Sequence, residues 1–108
     1  MPDLQFTITD RSLVPVTEHG GETGHALWRT EDIDGVRVRA VNYSPGCLAD
    51  HWCDKGHILH VLEGELEVEL RDGRSFHLRA GMGFRVSDSG HAAHRISTRA
   101  GARVFVAD

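Results

Sequence analysis

The sequence predicts an all-β fold, a barrel or sandwich of short strands. Three observations carry this. Glycine is frequent, with 12 residues spread along a chain of 108. Between the glycines, apolar and polar residues alternate with the period of two that a half-buried strand needs. Helical periodicity is weak throughout; its one rival, "HAAHRI", is too short to hold a helix alone.

Each element follows from its own pattern. An N-terminal strand pair is expected in residues 1–30, with "EHGGETG" (18–24) as the loop to a barrel core of 36–108, all within one domain of 1–108. "VRVRAV" is a strand with Arg37, Arg39 and Tyr43 on one face, read as a solvated or subunit-interface row. "ELEVEL" is the clearest strand. Leu66, Val68 and Leu70 share the face toward a core, and Glu65, Glu67 and Glu69 face water. "RDGRSFHL" reads as a hairpin turning at Asp72-Gly73, with Phe76 and Leu78 inward. "FRV", "HRIST" and "RVFVAD" complete the set. Arg85 reads as a surface arginine, unless its face turns inward, where it would hold an anion.

Composition narrows the function. A formal charge of -4 and a single lysine, Lys55, argue against nucleic acid as partner, because phosphate binding wants a basic face. No apolar run approaches the ~20 residues that span a bilayer, so no membrane partner is expected. The start, "MPDLQFTITD", lacks a charged leader followed by an apolar stretch, and the cytoplasm is the expected compartment. Six positions along one strand would hold Cys47 and Cys53 about 20 Å apart. A disulfide needs roughly 7 Å, so both are read as thiols.

Eight histidines are the one departure from average composition. Their arrangement matters more than their number. With 47–53 as a strand, His51 and Cys53 project from one face, while Asp50 and Trp52 point the other way. "DKG" then reads as a three-residue hairpin loop, glycine last, with Cys53 and His57 flanking it on paired strands. From His57 the same parity runs through Leu59 and Val61. His60 has the opposite parity and should face outward. Further on, "SDSG" is a turn, and either His91 or His94 could reach the same interior; spacing does not choose between them.

These residues resemble a known pattern. The first cupin motif runs from glycine through His-x-His and glutamate to glycine. Here Gly46, His51-Trp52-Cys53, His57 and Gly64 stand in that order, with Cys53 at the second histidine position and His57 at the glutamate position. "AGMGFRVSDSGHAAHR" resembles the second motif, and His94 is the better match to its histidine. Asp50-His51-Trp52-Cys53 also resembles a group of single-domain cupins named for a DHCW motif. That likeness runs from "GETGHALW" to "GARVFVAD". The resemblance implies a cupin-type jelly-roll barrel, metal ligands at His51, Cys53, His57 and His94, and a homodimer.

Imidazoles with a thiolate suit a divalent transition metal ion: zinc, iron, nickel or copper. Three histidines would leave a position open, whereas a fourth ligand at Cys53 would close the shell. The expected function is therefore a small metal-binding protein that binds or transforms a small organic molecule in the barrel interior. The alternative is a metal-free ligand-binding domain.

Overall fold

The computed structural model describes residues 3–88 and 92–108, and strands are the main regular element over them. A short 3-10 turn, Arg11–Leu13, precedes β1 (Val16–Gly20). There follow β2 (His25–Ile33), β3 (Val36–Tyr43), β4 (His57–Leu70), β5 (Ser75–Arg79), β6 (Gly83–Val86), β7 (His94–Ser97) and β8 (Ala102–Ala107). Every strand pairing is antiparallel. Among the described residues there is no α-helix.

β4 organises the molecule, because its two halves belong to different sheets. The first half pairs with β8 on one side and β6 on the other. With β3, β2 and β1 beyond β8, these strands form one sheet. The second half of β4 pairs with β5 and β7. Single bridges from Ser97 to Leu48 and from Leu48 to Thr23 widen this second sheet. The switch occurs at a bulge between Val61 and Glu63. One extra residue reverses side-chain parity. Leu59 and Val61 point inward before it, Leu66 and Val68 after it, and all four are buried.

The core lies between the sheets. Val41, Leu59, Val61, Leu66, Val68, Leu78, Val104 and Val106 form one buried cluster. Each large side chain buried this fully stabilises the fold by about 1.5–3 kcal/mol relative to exposure.

Four expectations from sequence need correction. Residues 47–53 are not a continuous strand; only isolated bridges at Leu48 and Cys53 interrupt irregular backbone. Cys53 and His57 do not flank a hairpin, since Cys53 pairs with His94 and His57 pairs with Val86. Phe76 is 47% exposed although Leu78 on the same face is buried. Phe76 is the second residue of β5, next to the 71–74 turn. Finally, Glu18–Gly20 end β1 instead of opening a loop. His91 lies outside the described residues.

Candidate metal and ligand site

His94 opens β7 and is only 2% exposed. Its backbone exchanges two hydrogen bonds with Cys53: Cys53 N–H to His94 O at 2.8 Å, and His94 N–H to Cys53 O at 2.9 Å. Residues bonded in this way present side chains side by side on one face. His57 opens β4 in the facing sheet. Its Nε2 comes within 3.1 Å of His94 Nε2, with the rings nearly perpendicular at 85°. Donor atoms of Cys53, His57 and His94 all lie within 4.8 Å of one another. The second sheet thus supplies a thiol and an imidazole, and the first supplies the other imidazole.

The surroundings orient these groups. His94 Nδ1 lies 3.0 Å from the carbonyl of Ala92. A carbonyl only accepts, so Nδ1 carries the proton and Nε2 keeps its lone pair toward His57 and Cys53. A partner of this kind on the far nitrogen is what fixes a ligating histidine. The Phe84 ring packs 5.6 Å from His57 and 5.3 Å from His94. Burial first, then the neighbouring His94 and Arg39, push the His57 imidazole down to about 4. His57 is therefore neutral at pH 7, the form in which an imidazole can ligate.

His51 is placed apart from this group. Its side chain is 71% exposed, and its Nδ1 pairs with Asp50 at 2.7 Å. It stands on the wall of the same cavity, in the irregular backbone before Cys53. Trp52 does not line the cavity, and the guanidinium carbons of Arg71 and Arg95 lie over its ring at 5.5 and 4.8 Å. His60 is exposed, as parity predicts. Cys47 and Cys53 are both free thiols; Cys47 is buried, which pushes its thiol up.

The three donors line a cavity of about 670 Å³ between the sheets. Ligand sites of small molecules commonly span about 300–1,000 Å³. Val41, Leu59 and Val106 give it apolar walls. Trp28, Arg39, Tyr43 and Asp108 also line it. The row of Arg37, Arg39 and Tyr43 therefore faces the interior, contrary to expectation, on the same side of β3 as buried Val41. The signal was present in that shared parity, but two arginines in six residues argue for solvent when read alone. Arg85 is exposed and does not line this cavity; the arginines of its wall are Arg37 and Arg39.

No protein-family model matches the chain, and no curated protein matches it in sequence. Solved structures do match. An RmlC-like cupin from Shewanella frigidimarina superposes with a TM-score of 0.77 at 17% identity, over 96% of this chain and 90% of that one. The fold is that of the cupins. The polyketide cyclase RemF from Streptomyces resistomycificus gives 0.73 at 20% identity, covering 95% of this chain and 78% of that one. Ectoine synthase from P. lautus gives 0.72 at 19%, covering 94% and 76%. Identity this low establishes the shared cupin jelly roll and leaves function to the site itself.

The donor set fits a single transition metal ion. Two imidazole nitrogens and a sulfur are ligand types shared by zinc, copper and iron sites. Ligands about 2.0–2.3 Å from a tetrahedral ion stand roughly 3.3–3.7 Å apart. The 3.1 Å between the two imidazoles is close to this, and the upper bound of 4.8 Å needs only a small adjustment.

Proposed function

We propose that this cupin-fold chain binds a divalent transition metal ion through Cys53, His57 and His94, and binds or transforms a small organic molecule in the cavity beside it. The observation that carries the reading is the convergence of three donors from two sheets, with His94 already set in its ligating tautomer. Bound there, a metal would supply a Lewis acid. The chain's own residues do the rest. Ala92 holds the His94 proton on Nδ1, Phe84 keeps water from the two rings, and the apolar wall accepts the body of a ligand. Three protein donors leave a coordination position free, the pattern of sites that take a ligand.

Neighbours that share the fold include an ectoine synthase and a polyketide cyclase, which supports a small organic molecule as the class of ligand. The DHCW-group likeness adds a division of labour within residues 50–53. Asp50 and His51 pair with each other at the rim, Trp52 packs outward, and Cys53 faces the cavity. His51 remains a rim residue in this reading, available to a ligand.

Elemental analysis of protein purified without added metal tests the reading. Wild type and His51→Ala should retain close to one ion per chain, while His94→Ala and Cys53→Ser lose most of it. Negligible metal in the wild type, or equal metal in all four proteins, would count against it. The reading includes a homodimer. Ile58 and Leu62 are exposed on the outer face of β4, where a second copy would cover them.

A further inference from the structure

We propose that the cavity holds a monoanionic carboxylate, with the Arg39 guanidinium as its main partner and the Trp28 indole N–H as a second donor. This rests on the cavity being a small-molecule site and names the class of molecule that enters it.

Arg39 is 13% exposed in its side chain and lines the cavity. A guanidinium has five N–H donors. Among the described residues, its one hydrogen bond is from Nη2 to Asp108 Oδ2, at 3.2 Å. Its Nε is buried with no acceptor. The indole Nε1 of Trp28 is likewise buried without one, and the Trp28 ring lies 5.0 Å from the Arg39 guanidinium carbon. Trp28 and Arg39 both line the cavity, and each holds a donor that lacks an acceptor.

Charge points the same way. Asp108 is already engaged by Arg37 through two bonds, Nε at 3.1 Å and Nη2 at 2.8 Å. Arg37, Arg39 and Asp108 together carry one surplus positive charge. A buried cation with so few bonds is costly unless a partner compensates it. A carboxylate brings one negative charge and two acceptor oxygens that match the guanidinium fork. A phosphate dianion would set a second negative charge against Glu18 and Asp50, which line the same cavity. The apolar side chains of Val41, Leu59 and Val106 on the same walls suit a hydrocarbon body attached to that carboxylate.

Calorimetric titration tests this, with benzoate, hexanoate and pyruvate as probes and benzamide and inorganic phosphate as controls. Each protein is titrated metal-loaded and after chelator, with its metal content measured alongside. Wild type should bind at least one of the three carboxylates, and bind benzamide and phosphate about tenfold more weakly or worse. Arg39→Gln should weaken carboxylate binding about tenfold or more at unchanged metal content, and Arg39→Lys should recover part of it. Trp28→Phe, which keeps the ring and removes the N–H, should weaken it a few-fold and covers the case in which Arg39→Gln does not fold. Three results would each overturn the proposal: no carboxylate bound by wild type, benzamide bound as well as benzoate, or Arg39→Gln binding like wild type. Arg39-dependent binding by a wild type whose measured metal content is negligible as purified would uphold the carboxylate subsite while removing the metal reading.

Discussion

His57 shows how one residue's surroundings decide its chemistry. Burial, His94 and the Arg39 charge all disfavour its protonated form, and the imidazole is pushed down to about 4. The unfolded chain would protonate it near the ordinary value of about 6.5. Between these two values the unfolded state binds more protons, so acid weakens the fold. In chelator-treated protein, stability should fall as pH drops from about 6.5 to 4. Urea denaturation at pH 7, 5.5 and 4.5 would show it, and His57→Asn should flatten that part of the profile. An unchanged slope in the variant would mean the loss arises elsewhere. His77 behaves oppositely: exposed between Glu67 and Glu65, it is raised by their carboxylates and favours its charged form.

At the scale of elements, β4 and its bulge do most to place the site. The bend at Val61–Glu63 lets one strand carry His57 into the first sheet and then pair with β7, which carries His94. Gly64 makes this possible. Its φ is +77°, and an added Cβ would stand 2.1 Å from the carbonyl oxygen of Gly101. Both the left-handed backbone and the close approach exclude a side chain. Gly64→Ala should cost roughly 2 kcal/mol or more, read as a lower urea midpoint. A midpoint equal to wild type would show that the β4–β8 contact yields without strain. "ELEVEL" was legible because its glutamates and aliphatics sort cleanly by parity. The segment 47–53 was not, because its backbone bonds go to β7 and to Thr23, and nothing local announces partners forty residues away.

For the whole molecule, two sheets close over one apolar cluster, while their outer surfaces stay partly apolar at Ile58 and Leu62. Exposed aliphatics on a strand face are where a like copy would pack. Sedimentation velocity should give twice the chain mass at tens of micromolar protein, and Leu62→Glu should shift it toward one chain. A wild type that sediments as a single chain would remove the homodimer from the reading. No helix of the described residues is long and apolar enough to cross a membrane.

Sequence by itself determined the strand-rich class, the inward parity of Leu59, Val61, Leu66 and Val68, and the candidacy of Cys53, His57 and His94. Alternation and glycine turns are local properties, written residue by residue. Only the tertiary structure decided which side of β3 faces inward, which strand receives Cys53, and that His51 stays at the rim while Arg39 does not. Those outcomes depend on pairings between segments distant in the chain, and on Asp108 meeting two arginines beside the cavity. A row of arginines reads as solvated until its counter-charge, about seventy residues away in the chain, is brought alongside.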